Sequence, residues 1–164
     1  MLRLLISVCA LWVFAGNAAA DEPPLLEQFD GAWHSGGDAF GGPAQSAMSW
    51  TPVLNGKFIR LDYRVEMPRG EQTAVFEGAA YYKYEGNDRW SAFWADNSGD
   101  LHPVSAVRDG AAIVSHWGVE GAKYGRTRYE LMSNGELEVT DWIQTGEGWK
   151  QFNKNTFTRI EAAD

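Results

Sequence analysis

The amino-acid sequence predicts an all-β fold, a closed antiparallel up-and-down barrel of about ten strands behind a cleavable N-terminal signal segment. Three observations predict it. Turn signals recur about every ten to fourteen residues from Phe29 onward, with strand-like runs between them. No later stretch carries a sustained apolar stripe at the helical period, apart from room for a single turn around Leu25–Phe29. The middle runs place large apolar groups on both faces, which a flat sheet with one solvated side does not need. With 164 residues, 18 of them Gly and 13% aromatic, the chain makes one domain that can bury a core without disulfides or metals.

Residues 1–20 carry the pattern of a secretory signal. Arg3 supplies the positive start, Leu4 to Gly16 the apolar stretch, and Ala18-Ala19-Ala20 the small-x-small cleavage pattern. The apolar run is shorter than the roughly 20 residues an anchor needs, so no stable membrane anchoring is expected. Cys9 lies inside this segment behind Val8, where a lipoprotein signal wants a small residue. Cleavage after Ala20 removes the one thiol, which suits an oxidising compartment; the expected location is periplasmic or secreted. Residues 21–28, with Pro23-Pro24, read as a flexible or extended lead-in, and the barrel domain is expected over 29–160.

Ten runs follow: Gly31–Ala39, Gln45–Val53, Lys57–Met67, Gln72–Tyr84, Arg89–Asp96, Leu101–Arg108, Ala111–Trp117, Tyr124–Met132, Glu136–Thr145 and Trp149–Arg159. Asn55-Gly56 and Asn134-Gly135 suit type I′ hairpins, which need positive φ, and Asn97-Ser98-Gly99-Asp100, Asp109-Gly110 and Gly146-Glu147-Gly148 supply further turns. Successive strand side chains point to opposite faces. In the third run Ile59, Leu61, Tyr63, Val65 and Met67 therefore oppose Phe58, Arg60, Asp62, Arg64 and Glu66. In the fourth, Phe76, Gly78, Ala80, Tyr82 and Tyr84 share a face, and in the fifth Trp90, Ala92, Trp94 and Asp96 do. Closing such a sheet removes its edges, and about ten strands leave room for an internal cavity.

The formal net charge of −8, with no basic run, excludes a nucleic-acid footprint, which needs clustered Lys and Arg. Loss of Cys9 excludes thiol nucleophiles and thiolate metal sites. No metal site is expected, because His34, His102 and His116 form no ligand pair at strand spacing. No Gly-x-Ser-x-Gly elbow supports a serine nucleophile, and no strand–helix unit follows Gly36-Gly37 or Gly41-Gly42. Glu66, Glu77 and Asp96 could converge as an acid–base group inside a closed barrel, although surface or ion-paired positions fit most of them. Arg60 and Arg64, and again Arg126 and Arg128, alternate on one face. Turned inward they would hold a carboxylate or phosphate. Turned outward, the favoured reading, they form exposed cross-strand pairs with Asp62, Glu66 and Glu130 worth roughly 0.2–1 kcal/mol each.

The opening Phe29-Asp30-Gly31-Ala32-Trp33, a Gly-x-Trp entering the first strand, resembles the first-strand signature of lipocalin-like barrels. The ordered series of Trp50, Leu54-Asn55-Gly56-Lys57-Phe58-Ile59, Glu77-Gly78, Tyr82-x-Tyr84, Trp94-Ala95-Asp96-Asn97-Ser98-Gly99 and Thr156-Phe157-Thr158-Arg159 resembles a bacterial exported family of small proteins of unknown function, itself similar to the nitrobindin group of calycin-like barrels. The likeness spans Phe29–Ile160 and implies a ten-stranded lipocalin-like barrel. Nitrobindins carry haem through a His on the last strand; the run Trp149–Arg159 has none, so no cofactor is expected by that route.

Together these readings lead to an exported β-barrel that binds a small, largely apolar ligand, with an anionic end as the variant a guanidinium would receive, and performs no chemistry. Trp50, Tyr82, Trp94 and Trp142 are expected to line the cavity, with Arg60 or His116 as its polar contact. Two other readings stand beside it. One is a barrel hydrolase or isomerase with Glu77, Asp96 or His116 as acid–base group; the other is an envelope interaction protein whose barrel is packed solid.

Overall fold

A computed structural model describes residues 24–161. The expected signal segment lies outside the described residues. Ten strands form one closed antiparallel barrel: β1 (Gly31–Ala39), β2 (Gly42–Val53), β3 (Phe58–Arg69), β4 (Gln72–Gly86), β5 (Arg89–Asp96), β6 (Leu101–Asp109), β7 (Ala112–Gly118), β8 (Tyr124–Leu131), β9 (Leu137–Thr145) and β10 (Gly148–Ile160). Each pairs with its sequence neighbours, and β1 pairs with β10. The ten expected runs correspond to these strands, with ends displaced by a few residues at most. In its second half the lead-in takes the single turn for which the sequence leaves room. Pro24 is extended (φ −47°, ψ 139°), and Leu25–Phe29 after it is a turn of 3-10 helix whose Leu25, Leu26 and Phe29 are buried.

The hairpins are less uniform than their sequences promise. Asn55-Gly56 sits in a turn where Leu54, Asn55 and Gly56 all have positive φ, wider than a two-residue I′ turn. At Asn134-Gly135 only Gly135 adopts positive φ. Two tight turns carry the I′ signature instead: Asn87-Asp88 between β4 and β5, with no glycine, and Phe40-Gly41 between β1 and β2. Phe40, at φ 53°, is held there by rings on either side, Phe76 with centroids 5.6 Å away and Phe152 at 6.2 Å.

The two ends of the barrel differ because sequence-adjacent antiparallel strands turn alternately at one end and the other. The chain's entry plugs one end. Phe29 packs edge-on against Trp50 (5.4 Å) and beside Tyr129 (6.5 Å), and Trp33 donates its indole N–H to the Phe29 carbonyl at 2.8 Å. The seam closes over the same spot. In the register Trp33 pairs with Arg159, whose guanidinium lies 4.1 Å from the Trp33 ring and donates to the carbonyls of Gln28 (2.9 Å) and Asp30. Gly31 has φ +116°, and a Cβ there would come within 2.9 Å of that guanidinium. The other end, ringed by the β1–β2, β3–β4, β5–β6, β7–β8 and β9–β10 connections, is open.

Removal of the plug's central ring is costly because the surrounding strands cannot collapse into its place. Phe29→Ala is expected to lower stability by about 3–5 kcal/mol, read as a shift in the urea unfolding midpoint at unchanged slope.

Candidate functional site

The barrel encloses a cavity of ≈ 670 Å³ behind the open end. Its wall follows from strand alternation. β3 contributes Leu61, Tyr63 and Met67, β4 Phe76 and Tyr82, β5 Trp94 and Asp96, and β7 Ser115 and Trp117. β8 contributes Thr127 and Tyr129, and β9 Val139, Asp141 and Ile143. Phe40, Arg69, Ser98 and Lys123, at or beside the hairpin turns, stand at the mouth with Phe152. Phe152 gets there through a β-bulge: Gln151 pairs with Trp142 and Asn153 with Asp141, so Phe152 is the extra residue. The bulge also reverses the alternation of β10. Asn153, Asn155 and Phe157 beyond it are buried, whereas Trp149 before it meets the outer-wall groups His116, edge-on, and Tyr124, at a tilt.

Two glycines make space for the largest rings. A Cβ on Gly78 would lie 2.0 Å from the Trp94 ring, and one on Gly125 would lie 2.1 Å from the Trp117 ring. Each indole therefore lies flat against the bare backbone of the adjoining strand instead of crossing the lumen. Trp94 stacks on Phe76 at 6.3 Å with planes 21° apart, and Trp117 lies 5.7 Å from His102.

The polar groups fall into two sets. At the mouth, Asp96 accepts the Trp94 indole N–H (3.0 Å) on one oxygen and the backbone N–H of Ser98 (3.0 Å) on the other. Burial pushes the Asp96 carboxyl up, but the hydrogen bonds from the Ser98 hydroxyl, Trp94 and the Ser98 and Asp100 backbones outweigh it and hold Asp96 below the usual carboxylate range. Deeper in, Asp141 accepts the Thr127 hydroxyl at 2.6 Å and the Asn153 amide at 2.8 Å. Thr127 in turn accepts the Trp117 indole N–H at 3.2 Å. Burial pushes the Asp141 carboxyl up, and its two hydrogen bonds offset this only in part. Around it stand three phenols, each raised chiefly by burial: Tyr82, which shares a 3.1 Å hydrogen bond with Ser115, to about 12, and likewise Tyr63 and Tyr129. All three are neutral hydroxyls over the ordinary pH range.

Of the side chains singled out from sequence, Tyr82 and Trp94 line the cavity. Trp50 points into the barrel but lies in the packed end, fully buried between Phe29, Tyr82 and Tyr129. Arg60, His116 and Trp142 are on the outer wall, in the opposite phase of their strands from the cavity residues. Arg60 pairs with Asp62 at 2.7 Å, and Arg64 pairs with Glu66 (2.8 Å) and Glu77, so the outward reading of the charged face is the correct one. Arg126 lies 4.7 Å from both the Trp142 and Trp149 rings. His116, stacked on Tyr124 at 6.1 Å, has its pKa lowered by burial and by the Arg126 charge. Glu77, Asp96 and His116 do not converge: Glu77 and His116 are outside, and Asp96 is at the mouth.

Asp141 was not singled out by sequence, although a signal existed. In Leu137-x-Val139-x-Asp141-x-Ile143 it occupies the apolar phase of its strand, where a carboxylate needs a reason. Haem held from the last strand does not fit, since the buried side chains of β10 are Asn153, Asn155 and Phe157. Among the described residues, no group of three His, Cys, Asp or Glu side chains is arranged to hold a metal ion.

Two measurements check this geometry. Gly78→Ala is expected to drive the Trp94 ring into the lumen, changing the near-ultraviolet circular dichroism and shrinking the space available to probes, with a stability loss of about 1–3 kcal/mol from overpacking. Because the folded state holds the Asp141 proton more tightly than the unfolded chain, folding takes up a proton between the two pKa values. Stability from this group is full below the ordinary carboxylate range and falls as pH rises through the raised value. Asp141→Asn is therefore expected to flatten that fall, by up to about 1.4 kcal/mol per pH unit of the window, measured as urea midpoints across pH.

The chain matches no protein-family model, and a search of curated proteins finds no relative.

Proposed function

We propose that this barrel is an exported, non-enzymatic carrier of a small, largely apolar ligand held in its cavity. The observation that carries the reading is the cavity itself: ≈ 670 Å³, walled largely by aromatic and aliphatic side chains, closed at one end by the Leu25–Phe29 plug and open at the other between Phe40, Arg69, Ser98, Lys123 and Phe152. Its size lies inside the roughly 300–1,000 Å³ of ordinary small-molecule sites. A barrel serving only as a rigid interaction surface has no use for such a void, because a close-packed interior is more stable than a hollow one. The lipocalin-like signature at Gly31-Ala32-Trp33 fits the same reading.

One observation favours the enzyme alternative, namely that two carboxylates with opposed pKa shifts, Asp96 and Asp141, border one cavity. Asp96, however, is engaged by Trp94, Ser98 and Asp100, the arrangement of a turn-capping aspartate, which leaves it poorly placed to take a substrate proton.

Native mass spectrometry of the protein purified from its own source tests the carrier. An adduct present under native conditions and lost on denaturation is expected. A clean apo mass at every preparation, together with no quenching of tryptophan fluorescence by any apolar probe, overturns it.

A further inference from the structure

From the carboxylate buried deep in the aromatic cavity wall, below Asp96 at the mouth, we infer that the ligand is an organic amine, an apolar body bearing one ammonium group that docks on Asp141. This rests on the carrier reading and names the class of ligand it would hold. Asp141 borders the cavity, and its two neighbours on the protein side are a hydroxyl and an amide, Thr127 and Asn153. Both donate hydrogen bonds and neither carries charge. The other titratable groups that feel its charge are Tyr129 on the adjoining β8 and, from β3 and β4, Tyr63 and Tyr82, all neutral phenols. Among the described residues no Lys, Arg or His pairs with it; the influences on its carboxyl are burial, Thr127 and Asn153.

A carboxylate in such a place lacks a countercharge, and an ammonium in the cavity supplies it. The rest of the wall suits the same ligand. Trp94, Trp117 and Phe76 present ring faces, whose quadrupole attracts a cation in a desolvated site. The phenol and Ser115 hydroxyls offer acceptors for the remaining N–H groups. An anionic ligand meets the opposite conditions. The guanidinium expected to receive it, Arg60, is outside the barrel in an ion pair, and the basic groups bordering the cavity, Arg69, His102 and Lys123, stand toward its mouth, with Lys123 paired to Asp100 and His102 3.6 Å from the same carboxylate. A carboxylate held at the mouth would leave Asp141 unanswered.

The test compares three probes of one shape, naphthylmethylamine, naphthylmethanol and naphthoic acid, by isothermal titration calorimetry on the intact protein at about pH 8, where the first is a cation and the last an anion. The amine is expected to bind tighter than the alcohol by about tenfold or more, and the acid weakest. Asp141→Asn is expected to erase the gap between amine and alcohol, while Asp62→Asn, which removes a carboxylate from the outer wall, keeps it and so separates the site from the general attraction of an acidic protein for cations. The wild-type protein provides a second reading that needs no variant. Because the ammonium favours the ionised carboxylate, amine binding releases a proton as the pH is lowered into the range where Asp141 takes one up, seen as a dependence of the heat on buffer ionisation enthalpy that the alcohol lacks. Equal affinities for amine and alcohol, or tightest binding of the acid, overturn the inference and leave the carrier standing. Failure of all three probes to bind overturns both.

Discussion

Closure of the sheet is the constraint on which the other features depend. Once β10 pairs with β1, a side chain on any strand has two destinations, the lumen or the outer wall, and the period of two assigns one or the other along the whole strand. The seam is the place where this can fail. Its register is short, Ala32 to His34 against Thr158 to Ile160, and it is reinforced by contacts that are not sheet hydrogen bonds: the Arg159 guanidinium over Trp33 and on the carbonyls of Gln28 and Asp30. One arginine thus ties the last strand, the first strand and the plug together. The requirement for glycine at position 31 follows, because any Cβ would occupy the space that guanidinium uses.

Closure gives an interior but does not make it hollow. Side chains of ordinary size fill a small barrel. Here the fill is uneven along the axis. Phe29, Trp33, Trp50, Leu137 and Phe157 pack the plugged end to complete burial, whereas toward the mouth the inward positions include Gly78, Ala80 and Gly125. The small residues let Trp94 and Trp117 lie along the wall. The same aromatic content that would plug a lumen by crossing it instead lines it. The hollow is thus a product of where the small residues stand, and each large ring depends on a specific glycine on its neighbour.

Much of this was legible in the sequence. The ten strands were, because turn residues and alternation act locally and are written residue by residue. The cavity-lining positions of Tyr82 and Trp94 were, since their faces carry Ala and Gly at the intervening sites. Three things were not. Trp50 shares its phase with cavity residues, and only the three-dimensional stacking with Phe29 and Tyr129 reveals that its level is packed. Trp149 and Phe157 share a face by counting, but a bulge at Phe152 lies between them, and no residue type announces it. Counting faces also puts Trp142 and His116 inward, as a lining ring and its polar contact. Their own strands place them outside, because Ser115, Trp117 and Asp141 hold the inward phase.

That last error is instructive about polar groups in barrels. The eye goes to arginine and histidine as ligand contacts, yet on these strands they complete exposed pairs such as Arg60 with Asp62, where solvation makes them cheap to keep. Asp141 is the expensive one. A carboxylate enclosed by phenols and held by two neutral donors destabilises the fold relative to a side chain such as the Val139 two residues before it, and the protonated form that relieves the charge still leaves a polar group in an apolar wall. Nothing in the packing requires it. Thr127 and Asn153 are themselves polar groups in lumen positions, so the strands supply a matched set instead of one stray acid. Together β8, β9 and β10 hold Thr127, Asp141 and Asn153 as one hydrogen-bonded polar cluster in an otherwise apolar wall, with Thr127 also taking the Trp117 indole N–H, and it is this cluster that marks the wall as a place to look for a polar contact.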